Sequence, residues 1–317
     1  MTDPAASPSR RIGFLGPQGT FTEQALLTQA DLADDELVPI ESIPGVLAAT
    51  AAGEVDLGFV AIENSIEGTV NVTLDTLAFG TELLVQREVV ISVQLNLLAP
   101  PGVRLADIER VVSFPHATAQ CRGFLERELA GVRSDAANST AEAARLIGRA
   151  GADRHSAAIG TALAAKVYGL DVIAADIEDH PENQTRFVAV ARAGVPPPTG
   201  HDKTTIVIFQ RVDRPGNLLA ILQEFAARAI NLTKLESRPT KRGLGDYCFI
   251  VDLEGHVGDE LVADCLRDLK AKTADVRFLG SYPAAGEHGP AVRRDAEAAW
   301  RAADEWLGDL RSRITGG

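Results

Sequence analysis

Positive charge is scarce in this chain of 317 residues: 31 Lys and Arg face 44 Asp and Glu, a net charge of −13. That deficit excludes a general nucleic-acid or anionic-membrane surface, and any anionic ligand must be held by local donors against the overall field. Aromatic residues are sparse too, at 5%, while Ala and Gly are plentiful, which reads as compositional bias rather than a functional signal. The three cysteines, Cys121, Cys248 and Cys265, are odd in number and share no metal-ligand spacing. They read as reduced, structural thiols. His155, His180, His201, His256 and His288 are scattered and form no metal constellation. No apolar run approaches the roughly eighteen residues of a spanning helix, and the polar tail over residues 1–10 lacks the apolar core of a signal peptide. A soluble, cytoplasmic protein is expected.

What is present is an ordinary globular balance, 45% hydrophobic and 24% charged, over a length sufficient for two or three domains. Residues 11–15 form an apolar strand running into Gly16-Pro17-Gln18-Gly19-Thr20, with a helix over 21–30 capped by Thr20 or Thr22. A strand, a glycine turn and a helix N-terminus suit an anion, but an ordinary βα turn explains the same residues. The spacing of a dinucleotide fingerprint or a P-loop is missing. A helix over 43–52 precedes a buried strand over 55–62, which ends at Glu63-Asn64-Ser65-Ile66-Glu67-Gly68-Thr69. This is a second polar cluster at the end of a strand, where open α/β sheets bind their ligands. After a helix over 72–79, a β-rich stretch over 83–98 alternates Ile91, Val93, Leu95 and Leu97 with Ser92, Gln94 and Asn96, and carries the chain into a second lobe.

The second lobe repeats the plan. A strand over 110–113 leads through Phe114-Pro115-His116-Ala117-Thr118-Ala119-Gln120 into a helix reaching residue 129. Ser139-Thr140-Ala141-Glu142 is a capping box, and a strand over 157–160 precedes a helix over 161–168. Asn183-Gln184-Thr185-Arg186-Phe187 follows Pro181 and precedes the apolar run 188–191, so it reads as a loop delivering a hydroxyl and a guanidinium to the mouth of a strand. Pro196-Pro197-Pro198 and Gly200 mark a semi-rigid linker over 193–202. Beyond it come a strand (204–209), helix (217–229), strands (231–238 and 245–253), helix (259–271) and strand (276–279), the βαββαβ plan. A surface helix is expected over 295–310.

Four segments, Gly16-Pro17-Gln18-Gly19-Thr20-Phe21, Glu63-Asn64-Ser65-Ile66-Glu67-Gly68, residues 113–120 and Thr185-Arg186-Phe187, resemble the signatures of the prephenate dehydratase family, in order. The module after the linker resembles an ACT domain. Its Arg214-Pro215-Gly216-Asn217-Leu218-Leu219 and Glu236-Ser237-Arg238-Pro239 match that family's effector motifs, and the resemblance covers residues 11–282. It implies an α/β fold: a two-lobed catalytic domain on the type II periplasmic-binding-protein plan (11–192, lobe 1 as 11–88 with 178–192, lobe 2 as 89–177), then a ferredoxin-like ACT domain (203–282) and a tail (283–317). The implied reaction removes carbon dioxide and water from prephenate to give phenylpyruvate, without a cofactor or metal.

The resemblance assigns catalytic roles to Thr185, Glu63, Asn64, Ser113 and Gln120. Thr185 would donate to the leaving hydroxyl, and neutral donors, Gln18 among them, would hold a carboxylate. Glu63 either orients these donors and assists proton transfer, or caps its own turn. Gln18, Gly19, Thr20, Thr140, Arg186 and Phe187 are expected around the substrate. Arg186 reads equally as a substrate ligand or a structural salt bridge, and Phe187 as packing that fixes the loop. Phe114 stands where the family commonly has histidine, with His116 two places on, so no histidine of this loop is assigned a direct role. Gly216, Asn217, Leu218, Leu219, Asn231, Glu236, Ser237, Arg238 and Pro239 are the expected effector residues, for L-phenylalanine bound between paired modules of a homodimer or homotetramer. Arogenate as substrate, a non-catalytic small-molecule sensor, and an ACT module serving mainly assembly are the competing expectations.

Overall fold

The computed structural model describes residues 9–149, 151, 153–211, 214–241, 246–286, 302–303 and 305–313. Contacts group them into two compact units. The first runs to Thr76 and resumes over Val89–Val190, and the second combines Leu77–Glu88 with the chain from Ala191 onward.

The first unit holds two α/β lobes. Lobe 1 is built from β1 (Arg11–Leu15), α1 (Phe21–Leu27), α2 (Ala30–Ala33), β2 (Glu36–Ile40), α3 (Ile43–Ala52), β3 (Leu57–Asn64), a short β4 (Gly68–Thr69) and α4 (Asn71–Asp75). Local chemistry sets these limits. The Thr20 hydroxyl accepts from the Glu23 N–H to cap α1, and Ser42 caps α3, which stops at Gly53 in the left-handed region. With β5 (Leu84–Ser92) and the returning β11 (Gln184–Ala191), the sheet order is β2-β1-β3-β11-β5. β1 runs parallel to β2 and β3, whereas β11 is antiparallel to β3. Ile12, Phe14, Leu26, Phe59, Val89, Phe187 and Ala189 fill its core.

The stretch expected as one strand over 83–98 is two. Between β5 and β6 (Asn96–Ala99) the Val93 N–H donates to the Asn183 carbonyl (2.8 Å) and the Leu95 N–H to Glu178 Oε2 (2.8 Å), so the backbone leaves one sheet and joins the other. Lobe 2 continues with β7 (Arg110–Ser113), α5 (Pro115–Ala119), α6 (Arg122–Glu128), β8 (Arg133–Ala136), α7 (Thr140–Ile147), β9 (Ser156–Gly160), α8 (Ala162–Tyr168) and β10 (Asp171–Ala174). Its order is β10-β6-β9-β7-β8. The sheet is apolar on both faces, with Leu97, Val111, Cys121 and Ile159 in one cluster and Leu98, Val112, Ala144 and Ala158 in the other. The helix expected to reach residue 129 is broken into α5 and α6 around Gln120 and Cys121.

The second unit contains β12 (Asp202–Phe209), α9 (Asn217–Ala226), β13 (Leu232–Pro239), β14 (Tyr247–Glu254), α10 (Glu260–Lys272) and β15 (Asp275–Pro283). The βαββαβ order folds into one antiparallel sheet, β13-β14-β12-β15. The two helices bury Ile221, Phe225, Cys265 and Leu269 with Ile206, Ile208 and Val251 of the sheet.

Residues 77–88, placed with lobe 1 from the sequence, group with this module by their contacts, while 84–88 also belong to β5. Lys203 Nζ reaches Glu88 Oε1 at 2.9 Å, Arg277 donates to the Thr81 carbonyl, and a Cβ at Gly280 (φ +140°) would meet the Val85 carbonyl oxygen at 2.4 Å. Such partners lie more than a hundred positions apart, beyond the reach of a local pattern. All three cysteines are buried, and none is joined in a disulfide among the described residues. Half of the helix expected over 295–310 lies outside the described residues, and the described half, 302–303 and 305–310, is helical. Among the described residues no helix is long and apolar enough to cross a membrane.

Candidate active site

Antiparallel pairing sets Thr185 opposite Asn64 and Arg186 opposite Glu63. Thr185 is thus the second residue of β11, held by the sheet rather than delivered by a loop. Asn64 Oδ1 accepts the N–H groups of Ile66 (3.0 Å) and Glu67 (2.9 Å), which turns the chain and fixes the amide. Its Nδ2 then donates to Thr185 Oγ1 and Asn183 Oδ1, both at 2.9 Å. Arg186 Nη1 lies 3.3 Å from Glu63 Oε2, and only 11% of the Arg186 side chain is exposed. Of the two sequence readings of this guanidinium, the geometry contains the salt bridge.

Lobe 2 meets this cluster through α5. Asn183 Nδ2 donates to Gln120 Oε1 (3.2 Å), and Gln120 Nε2 donates to Glu67 Oε1 (3.3 Å). His116 Nδ1 stands 2.9 Å from Glu67 Oε2, and its ring stacks on Phe114 with centroids 5.2 Å apart. Asn64, Thr185, Gln120, Glu63 and Arg186 therefore gather around the ends of β3 and β11.

The glycine turn after β1 forms a second junction between the lobes. The Thr161 hydroxyl donates to the Gly19 carbonyl (2.8 Å) and the Tyr168 hydroxyl to the Gln18 carbonyl (2.7 Å). Burial raises the Tyr168 pKa, which keeps the phenol protonated as a donor. A Cβ at Gly19 (φ +87°) would sit 2.9 Å from the Ala164 Cα, so this position requires glycine on both conformational and steric grounds. The anion expected at this turn has an internal substitute: the buried Glu23 carboxylate accepts the Gly19 N–H. Thr20 Oγ1 donates to the Leu15 carbonyl (3.0 Å) as it caps α1, so its hydroxyl proton is committed, whereas the Gln18 residue is exposed.

Three further sequence-derived residues lie apart from the cluster. Ser113 is fully buried, and its hydroxyl donates to the Ile159 carbonyl (2.8 Å), tying β7 to β9. Thr140 is buried as the first residue of α7, behind the Ser139 cap. The expected capping box there is displaced by one residue, since Glu142 Oε2 takes the Asn138 N–H (3.0 Å). Phe187 is 1% exposed and stacks on Phe59 at 5.6 Å, inside the core rather than beside a substrate. It pairs with Ala61 of β3, and its ring packs among Ile12, Phe14, Phe59 and Ala189, a placement set by the sheet.

A family profile for prephenate dehydratase matches residues 12–194, and one for the ACT domain matches residues 204–271. A prephenate dehydratase of Mycobacterium leprae (strain Br4923) is 44% identical over 312 residues, spanning 95% of this chain and 94% of the relative. The chain belongs to the prephenate dehydratase family. The crystal structure of an Arthrobacter aurescens prephenate dehydratase in complex with L-Phe superimposes with a TM-score of 0.87 at 41% identity, over 95% of this chain and 99% of that one. GqqA, described as a novel type of quorum quenching acylase, gives 0.76 at 30% identity, over 87% and 98% of the two chains.

In this prephenate dehydratase family member the ACT module carries the expected effector motifs on separate elements. Gly216 (φ +89°) is the N-cap of α9, followed by Asn217, whose amide donates to Gln210 Oε1 (2.9 Å), and by the exposed Leu218 and Leu219. Asn231 just precedes β13 and donates to Glu254 Oε1 (3.0 Å). On β13, Glu236 lies between Lys234 (3.6 Å) and Arg238 (3.3 Å), with Ser237 and Pro239 on the same strand. The sequence reading missed Asn183, Glu67 and His116 as members of the first cluster. Asn183 and Glu67 stood inside quoted motifs, so their polarity was the available signal, but their side-chain partners across the cluster are 49 to 119 positions away.

Proposed function

We propose that the cluster around Thr185 and Asn64 performs the decarboxylative dehydration of prephenate to phenylpyruvate, water and carbon dioxide, a carbon–oxygen lyase reaction. The bond from Asn64 Nδ2 to Thr185 Oγ1 carries this reading. By making the threonine oxygen an acceptor, it leaves the hydroxyl hydrogen for the departing group. The ring-carboxylate C–C bond breaks and its electron pair enters the ring. The C–OH bond breaks in turn, and the hydroxyl leaves as water with the Thr185 proton, which solvent replaces. Aromatisation supplies the driving force, so the residues need only orient a donor and hold a dianion; such donation contributes ~10²–10⁴-fold. Gln120 and Arg186, the latter held by Glu63, supply the surrounding donors.

L-Phenylalanine bound at the ACT motifs of paired chains lowers activity by favouring one of two arrangements, in a cytoplasmic homo-oligomer. The L-Phe complex of the Arthrobacter relative supports this regulation. Phenylpyruvate formation from prephenate, followed by ultraviolet absorbance with and without L-Phe, tests both parts. A chain inactive on prephenate overturns the enzyme reading, and activity indifferent to L-Phe overturns the regulatory one.

A further inference from the structure

Four side chains at the junction of the lobes form a hydrogen-bond chain with one direction. Because Asn64 Oδ1 already takes two backbone N–H groups, its nitrogen must face β11. That nitrogen donates to Asn183 Oδ1 (2.9 Å), which forces Asn183 Nδ2 toward Gln120 Oε1 (3.2 Å). Gln120 Nε2 is thereby aimed at Glu67 Oε1 (3.3 Å), and the other oxygen of that carboxylate faces His116 (2.9 Å). The same Asn64 nitrogen sets Thr185 as an acceptor at 2.9 Å. Asn183 is the buried middle of the chain, 1% exposed. Its Oδ1 takes a second donor, Ser65 Oγ (3.3 Å), and its carbonyl takes the Val93 N–H (2.8 Å) where the chain crosses between lobes.

We propose that Asn183 is a positioning residue: it transmits one amide polarity from Asn64 in lobe 1 to Gln120 in lobe 2, fixing together the donor face of Gln120 and the accepting role of Thr185. This rests on the dehydratase reading above. Reversing the Asn183 amide would set its oxygen against Gln120 Oε1, a penalty that water cannot relieve at this buried residue. The lobes and the catalytic hydroxyl are therefore set by the same bonds.

N183D keeps the shape and removes the donor. At neutral pH it lowers kcat about tenfold or more, with KM changed less than about threefold, because an acceptor now faces Gln120 Oε1 or turns that amide around. Two readouts separate positioning from mere folding. As pH falls and the introduced carboxylate takes up a proton, a donor returns and kcat of N183D climbs relative to wild type. E67Q added to N183D raises the thermal midpoint but not kcat, since the new amide donates to a Gln120 that stays reversed. Thermal midpoints monitor folding. Should N183D not fold, Glu67→Leu at the half-exposed end of the chain carries the test by lowering kcat severalfold at constant KM. N183D with kcat within about twofold of wild type, a loss equal at every pH, kcat restored to N183D by E67Q, or an unaltered kcat in E67L overturns the proposal. A wild-type chain that makes no phenylpyruvate overturns the dehydratase reading instead.

Discussion

Asn64 Nδ2 and Thr185 Oγ1 are 2.9 Å apart across an antiparallel strand pair, joining residues 121 positions apart. The amide donates and the hydroxyl accepts, which leaves the threonine hydrogen uncommitted in that bond. Thr185→Val preserves the shape and replaces the hydroxyl with a methyl. It is expected to lower kcat by ~10²–10⁴-fold, with Thr185→Ser retaining most of the activity. Initial rates of phenylpyruvate formation check this. A valine variant as active as wild type would remove the proton-donor role.

Much of this was legible because it is periodic or local. β1, β3 and β7 are short apolar runs closed by polar segments, and the end of β3 and the start of β11 do face one another. The βαββαβ module could be read from alternating patterns alone. What escaped depends on distant partners. Gln120 and Thr185 announce themselves as polar residues at strand or helix ends, but nothing near Ser113 tells that its hydroxyl is given to Ile159. The spacing around Gly19 is compatible equally with an open anion site and with its amide being taken by Glu23. The burial of Phe187 is likewise set by the strand it pairs with, β3, and by Phe59 on that strand, not by its own neighbours.

The segment 77–88 bears on the stability of the second unit. Glu88 is buried, with 1% of its side chain exposed, and its carboxylate takes Lys203 Nζ at 2.9 and 3.0 Å and the Ala285 N–H at 2.9 Å. Removing the cation while keeping the methylene stem, as in Lys203→Met, leaves a buried carboxylate short of its counter-charge. The expected cost is ~3–5 kcal/mol in chemical denaturation. Adding Glu88→Leu should recover most of it, since an apolar pair of similar volume avoids the desolvation. A Lys203→Met variant as stable as wild type would show that this contact does not hold the segment.

Cys265 gives a pH signature. Burial between the helices and sheet of the ACT module is the main cause that pushes its thiol up to about 12. The folded value is raised above the unfolded one, so the stabilisation is complete below the unfolded value. It is lost as pH climbs from about 8.5 toward about 12, because the unfolded chain releases the proton first. Urea denaturation of wild type across this window should therefore show stability falling with pH. Cys265→Ala, whatever its constant cost, should fall less steeply, by up to ~1.4 kcal/mol per pH unit. Parallel slopes would show that the thiol does not contribute.

An effector reaching β13 meets charges that are already matched. Glu236 sits between Lys234 at 3.6 Å and Arg238 at 3.3 Å, so its carboxylate is held in place before any ligand arrives. An amino acid offers an ammonium for such a carboxylate, and a carboxylate for backbone N–H groups of the kind that the N-terminus of α9 presents after Gly216. Glu236→Ala removes the ammonium partner and leaves two cations facing one another, while the reacting groups of the first unit are untouched. Inhibition by L-Phe should then need ~10-fold or more effector, with uninhibited kcat near wild type, since a charged hydrogen bond contributes ~1.5–3 kcal/mol. Asn231→Ala, whose amide is engaged with Glu254 at 3.0 Å, should weaken inhibition less. Titrating activity against L-Phe for both variants decides the matter. Unchanged inhibition in both would move the effector away from β13.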